Sequence, residues 1–260
     1  MAHSLDAVWS VVSLLGGSVV LRPYVVGFLA FFLGAGIRDL GRARTLGFLL
    51  WGFLVALVAE LSSTRGGLPF GLYHYTGETA GAELFVGNVP FFSPLSFPFL
   101  AYASFCLARQ ALGAGWAGRQ AGWLRLVALS GVLMALLDVV IDPLAVRGER
   151  WFLGHLFTYP EGGIYFGVPL SNFGGWLLVG WATVGGYVWL AGDRRLRSPR
   201  RGVALYYMVL AVNLGVTLWI GEFLIAAAGI VVQGAVFLLL YNLSRVSIGR
   251  WSAGGLSATP

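Results

Sequence analysis

The sequence predicts an all-α fold: a polytopic transmembrane helix bundle of about eight spans, with both termini cytoplasmic and two long non-cytoplasmic loops. Three observations carry this expectation. Hydrophobic residues make up 58% of the chain and charged residues only 11%, well under the roughly 25% charged fraction of soluble domains. Apolar runs recur along nearly the whole length, and a helix needs ~20 residues to cross ~30 Å of hydrocarbon. The arginines collect on alternate connections, as the preference of basic residues for the cytoplasmic side requires. Residues 1–260 therefore read as a single integral membrane domain of the cell membrane.

The spans follow in order. The first, Leu5 to Leu21, lacks a basic leading segment and a small-residue cleavage site, so it reads as a retained helix rather than a signal peptide. The second, Tyr24 to Ile37, is short and is followed by Arg38, Arg42 and Arg44. The third, Thr45 to Leu61, carries Glu60 at its end, and the long connection Ser62 to Pro90 follows. After the fourth, Phe91 to Leu107, come Arg109, Arg119 and Arg125. The fifth, Trp123 to Asp142, leads into the second long connection, Pro143 to Ser171. The sixth, Asn172 to Leu190, precedes Arg194, Arg195, Arg197, Arg200 and Arg201. The seventh, Val203 to Ile220, and the eighth, Phe223 to Leu243, share a soft boundary near Gly221, and Arg245 and Arg250 close the series. Thirteen of the 17 basic residues thus fall on alternate connections.

This distribution explains a pI near 9.8 by topology and anionic lipid at the inner face, and excludes a nucleic-acid role. One cysteine, Cys106, leaves no disulfide within the chain and no thiolate metal site. Histidine occurs only at His3, His74 and His155, too few for the histidine boxes of a membrane di-iron oxygenase. A Gly-x-Gly-x-x-Gly match from Gly113 to Gly118 lies in a turn between membrane helices with no preceding strand, and is a chance match. Asn242-Leu-Ser244 matches a glycosylation triplet on the wrong side of the membrane. No cofactor and no metal is expected.

Acids favour the opposite face: Glu60, Glu78, Glu83, Asp138, Asp142, Glu149, Glu161 and Glu222. For the loop acids, solvation alone accounts for this. Acids inside apolar spans are different, since each costs roughly 2.5–3.5 kcal/mol at a helix centre and usually faces an interior cavity. Asp138 and Asp142 stand four residues apart, so they share one helix face. Pro143 disfavours helix at Asp142 and beyond, which places both acids in the last turns, at the negative end of the helix dipole. At least one of them is expected to be neutral at pH 7 and able to give a proton. Cross-helix bonding or snorkelling is the structural alternative, and it is favoured for Glu222. Both long connections are dense in Gly, Pro and aromatic residues, whose ring faces can stabilise a positive centre. An acid beside aromatic faces is what carbocation chemistry requires.

Several short stretches carry a family likeness: Glu60, the run Gly67-Leu68-Pro69-Phe70-Gly71-Leu72-Tyr73-His74-Tyr75, Val89-Pro90, Asp138 through Pro143, and Gly167-Val168-Pro169-Leu170-Ser171-Asn172-Phe173-Gly174-Gly175-Trp176. In these, over residues ~45 to ~190, the chain resembles the membrane carotenoid biosynthesis proteins that include carotenoid 1,2-hydratases and bisanhydrobacterioruberin hydratases. The resemblance implies addition of water across the terminal C1–C2 double bond of a long acyclic carotenoid, giving a tertiary alcohol without a redox cofactor. The partners it implies are the carotenoid, water and the lipid bilayer, with neighbouring carotenoid enzymes as further candidates.

The physical reading assigns the roles. Asp138 or Glu60 protonates C2, and Tyr73, Tyr75, Tyr165 or Trp176 shields the tertiary cation, with Phe70 and His74 also placed at the substrate. Asp142 and Asn172 hold the water that attacks C1. Two alternatives stand beside this: a membrane prenyltransferase or terpene cyclase holding Mg²⁺ on Asp138 and Asp142, and a non-catalytic carotenoid carrier.

Overall fold

A computed structural model describes residues 2–113, 120–191 and 197–254. The Gly-x-Gly stretch beyond Gly113, together with Arg119, Arg194 and Arg195, lies outside the described residues, as do the side chains of His3, Ser244, Arg245 and Arg250. Eight α-helices carry the described fold: α1 (Ala2–Leu21), α2 (Pro23–Asp39), α3 (Arg42–Gly66), α4 (Phe92–Leu112), α5 (Gln120–Ala145), α6 (Leu170–Ala191), α7 (Arg200–Trp219) and α8 (Phe223–Gly254). Each coincides with one of the apolar runs. Two-residue strands decorate the long connections: β1 (His74–Tyr75), β2 (Phe85–Val86), β3 (Val89–Pro90) and β4 (Phe157–Thr158).

Among the described residues, five helices (α3, α5, α6, α7 and α8) are individually long and apolar enough to cross a membrane. The expected first two spans do not form an antiparallel pair. Trp9–Leu21 and Pro23–Asp39 meet at a 93° bend and reach the criterion only together. The cause is local: the residue before a proline is kept out of the helical region, and Arg22 adopts φ −126°, ψ 50° while Pro23 opens the next helix.

The fourth run also differs from a simple span. Two serines early in α4, Ser104, Arg109 and an internal Pro98 lower its apolarity, yet the helix is buried from Phe97 to Ala108. It packs against α2, α3, α5, α6, α7 and α8 and forms the centre of the bundle. A helix walled in by other helices has no need of an apolar surface all round.

α5 and α6 form the most extensive helix pair, and glycine makes the approach close. A Cβ built on Gly180 would lie 2.9 Å from the Cα of Gly131, so neither position has room for a side chain. From that crossing, Asp138 is seven residues along α5 and Asn172 eight residues back along α6. In antiparallel helices both offsets are about two turns in the same direction, which brings the two side chains face to face.

α5 does not stop at Pro143 as the sequence suggested; it continues to Ala145. Proline cannot supply the N–H that the Val139 carbonyl would normally receive. The Tyr165 hydroxyl donates to that carbonyl instead, at 3.3 Å, so the helix passes the proline without an orphaned acceptor.

The two long connections fold against one another at the end of the bundle away from the basic turns. β1 pairs antiparallel with β4, with His74 opposite Thr158 and Tyr75 opposite Phe157. Gly71, at φ +92°, sits where a Cβ would meet the Ser171 hydroxyl at 2.7 Å, so the two Gly-Pro-aromatic motifs touch directly. A buried ion pair between Arg22 and Glu83, 2.8 Å, ties the α1–α2 bend to the first connection. The same guanidinium donates to the Leu153 carbonyl of the second connection at 3.1 Å. At the basic end, buried Asp39 accepts from Arg201 at 2.6 Å and from the Tyr102 hydroxyl at 3.1 Å.

Candidate active site

Between the helices and the folded connections lies a cavity of about 140 Å³. Glu60, Asp142, Asn172, Phe70, Tyr73, Tyr75 and Trp176 line it together with other aromatic and apolar side chains. Its volume is about tenfold the ~10–15 Å³ that one water requires.

One polar wall is built by α5 and α6. Asn172 Nδ2 donates to Asp138 Oδ2 at 2.6 Å and to Asp142 Oδ2 at 2.7 Å. Asp142 Oδ2 also accepts from the Trp176 indole N–H at 3.1 Å, and the Asp142 backbone N–H donates to Asp138 Oδ1 at 3.2 Å. Trp176 is fixed in turn by stacking on Phe97, with centroids 4.6 Å apart. This is the arrangement that the spacing of four residues on one helix face allows, closed by a single amide from the facing helix.

The second polar wall comes from α3, α4 and β1. Glu60 is buried and accepts the Tyr75 hydroxyl on Oε2 at 2.9 Å and the Ser93 hydroxyl on Oε1 at 2.8 Å. Tyr75 and Ser93 are themselves 2.8 Å apart. Burial, followed by the charge of Glu60, pushes the Tyr75 phenol well above its usual range, so it remains an O–H donor. Above the cavity, Tyr73 packs its ring at 5.5–5.7 Å from those of Tyr75, Phe157 and Tyr159. The four rings form an aromatic cap whose edges come from both long connections.

Four sequence-based placements or roles change. Asp138 is fully buried and does not line the cavity; Asp142, one turn nearer the loops, stands between it and the open space. Tyr165 sits behind α5, its hydroxyl on Val139 and its ring against Phe173 at 5.3 Å, and does not reach the cavity. His74 is exposed, because strand alternation turns it away from the face that Tyr73 and Tyr75 present. Asn172, expected to hold a water, already directs its amide N–H groups at two carboxyls.

Sequence reasoning missed Ser93, Phe97 and Tyr159. Ser93 and Phe97 lie in the run read only as a span, where nothing marked one face of the central helix as functional. Tyr159 was one aromatic among many in a dense loop. Among the described residues, no group of three or more His, Cys, Asp or Glu side chains could hold a metal ion.

The family model described as carotenoid biosynthesis protein matches residues 10–239, which takes in both polar walls and the cap. The chain belongs to the carotenoid biosynthesis protein family. One relative of this carotenoid biosynthesis protein, the bisanhydrobacterioruberin hydratase of Haloarcula japonica, is 33% identical over 175 residues. That alignment covers 66% of this chain and 55% of the relative. The chain thus spans little more than half the length of the relative it matches. No solved structure matches the chain.

Proposed function

We propose that this carotenoid biosynthesis protein is a hydratase, adding water across the terminal C1–C2 double bond of an acyclic carotenoid end to give a tertiary alcohol. The observation that carries the reading is the placement of Asp142 and Glu60 on one cavity whose other walls are largely apolar and aromatic. Family membership and the hydratase relative support it.

In this reaction a carboxylic acid protonates C2 and leaves a tertiary cation at C1. Water attacks C1, and a carboxylate takes the proton that the water releases. Asp142 faces the space where the double bond lies. Asp138 behind it shares the same amide, so it acts on the proton through Asp142 and positions it. Asp138, Asp142 and Asn172 hold no cation among their hydrogen-bond partners. Two buried carboxylates side by side without a counter-ion are costly, and one proton held between them relieves the repulsion. The rings of Tyr73, Tyr75 and Trp176 face the cavity, where cation–π attraction within about 6 Å of a ring stabilises the cationic intermediate. No redox cofactor enters this scheme.

The basic end faces the cytoplasm in this proposal and the two connections face the opposite side of the cell membrane. The apolar substrate arrives from the bilayer. A diphosphate enzyme is not favoured by the site. Arg22, the cavity's arginine, is paired with Glu83 and Leu153, and three of the oxygens of the Asp138–Asp142 pair already accept N–H donors from Asn172, Trp176 and the Asp142 backbone.

Expression in a host that accumulates lycopene, with mass analysis of the extracted pigment, tests the reading. Hydration adds the mass of one water, and growth in heavy-oxygen water adds the label to the product. A dependence on Mg²⁺ and a prenyl diphosphate would replace the reading with a prenyltransferase. Bound pigment of unchanged mass would replace it with a carrier.

A further inference from the structure

The two carboxyl walls differ in what lies behind them. Behind the Asp142 wall stands Asp138, 0% exposed, and then the packed crossing of α5 and α6. Behind the Glu60 wall stands an open hollow under the first long connection, lined by Gly77, Glu83, Phe85, Asn88 and Tyr75 among others. Tyr75 lines both this hollow and the cavity. Glu83, whose Oε1 carries Arg22 and Thr79, closes the inner side of the hollow. The hollow opens outward to solvent as far as the Tyr75 ring, and the phenol is the partition between water and the aromatic cavity.

Glu60, Tyr75 and Ser93 each lie within 2.8–2.9 Å of the other two, a closed ring of hydroxyl and carboxyl groups that can hand a proton from one oxygen to the next. The Asp pair instead accepts N–H donors, which pass no proton on.

Resting on the hydratase reading, we infer that the two walls divide the reaction: Tyr75 admits water from the hollow, and Glu60 with Ser93 holds it and takes its proton, while the Asp138–Asp142 pair delivers the proton to the double bond. The bonds balance. The C1–C2 π pair takes the proton of Asp142; a water oxygen bonds to C1; one proton of that water passes to Glu60 and the other stays in the alcohol; after product leaves, water in the cavity that Glu60 and Asp142 share carries the proton from Glu60 back to the Asp pair. The nucleophile is thus bound opposite the acid rather than on Asp142 and Asn172.

Protonation and water capture become separable. If water is not delivered, the cation returns a hydron to Asp142 and the alkene is recovered. The experiment uses the purified full-length chain in detergent with pre-formed lycopene in deuterated water. Wild-type protein yields alcohol with deuterium on the neighbouring carbon. Glu60→Gln is expected to lower alcohol by about a hundredfold or more while recovered substrate still gains deuterium at its end group. Tyr75→Phe, which keeps the ring and removes the hydroxyl, is expected to shift the ratio of exchange to hydration the same way. Asp142→Asn is expected to give neither product nor exchange.

A folded, pigment-binding Glu60→Gln protein that shows neither exchange nor alcohol would make Glu60 the acid and overturn the division. Undiminished alcohol from Glu60→Gln or from Tyr75→Phe would overturn it as well. If wild-type protein makes no alcohol from any acyclic carotenoid, it is the hydratase reading that fails, independently of this partition.

Discussion

Asp142→Asn separates chemistry from structure at this site. Asp142 Oδ2 accepts two N–H groups, from Asn172 at 2.7 Å and Trp176 at 3.1 Å. An asparagine with its carbonyl oxygen in that position keeps both bonds, and its new amide nitrogen takes the place of Oδ1, which accepts no hydrogen bond among the described residues. No donor is left facing a donor. The structural cost is the difference between charged and neutral acceptors, roughly 1 kcal/mol or less per bond. The chemical cost is the loss of a general acid, about 10²- to 10⁴-fold, or roughly 2.7–5.4 kcal/mol at 1.36 kcal/mol per decade. The assay is the initial rate of alcohol formation from a fixed amount of purified protein, measured beside thermal unfolding in detergent. A rate below about a hundredth of wild type with a nearly unchanged unfolding midpoint is expected. A variant retaining about a tenth or more of the rate would refute the assignment of the acid, since removal of a general acid costs more than that.

Asp138→Asn behaves differently. Its two oxygens accept from different donors, Asn172 and the Asp142 backbone, so one becomes a donor facing a donor; a rate loss accompanied by roughly 1.5–3 kcal/mol of destabilisation is expected in detergent unfolding. Trp176→Phe keeps the ring for the stack on Phe97 but removes the indole N–H from Asp142. A loss of roughly 1.5–3 kcal/mol, about ten- to a hundredfold in rate, follows if that bond matters in the transition state. His74→Ala, on an exposed side chain outside the cavity, leaves rate unchanged and stability within about 0.5 kcal/mol. Arg22→Ala leaves Glu83 buried without its counter-charge and costs about 3–5 kcal/mol, visible as a lower unfolding midpoint or reduced yield of folded protein.

What was legible in the sequence follows from periodicity and cost. Eight apolar runs located eight helices because hydrophobic length needs no tertiary information. Asp138, Asp142 and Glu60 stood out because an acid in such a run needs an explanation, and the structure places Glu60 and Asp142 on one cavity with Asp138 behind. Three features were not legible because long-range contacts decide them. Pro23 marks a break in sequence, but how the bent α1–α2 pair is tied to the first connection depends on the pairing of Arg22 with Glu83, 61 residues away. The passage of α5 through Pro143 depends on a hydroxyl from Tyr165, 26 residues away from its acceptor. The serine on the Glu60 wall comes from a helix whose central position appears only once its neighbours are packed around it. His74 was legible in principle: the alternation of a strand places it opposite Tyr73 and Tyr75, but a two-residue strand leaves no pattern in sequence.

Under the proposed hydratase reaction, a carotenoid end poses a conflict that the two walls would address. A tertiary cation needs an apolar, aromatic cavity, and water needs a polar path into it. If water had free access, it would solvate the carboxylate and leave Asp142 ionised with no proton to give, because only a dry surrounding disfavours the charged form and keeps the proton on the acid until the double bond arrives. If water had no access, the cation would only return its proton. Placing Asp138 and Asp142 against the dry α5–α6 crossing, and Glu60 against the wet hollow behind Tyr75, lets both conditions hold across one small cavity. The close approach at Gly131 and Gly180 keeps the first side dry. The pairing of β1 with β4 holds Tyr75 in place on the second. The Gly-Pro-aromatic vocabulary of the long connections is then explained by position as well as chemistry: glycine at Gly71 leaves room for the side chains of Pro169 and Ser171, and the rings of Tyr73, Tyr75 and Tyr159 close the cavity from above.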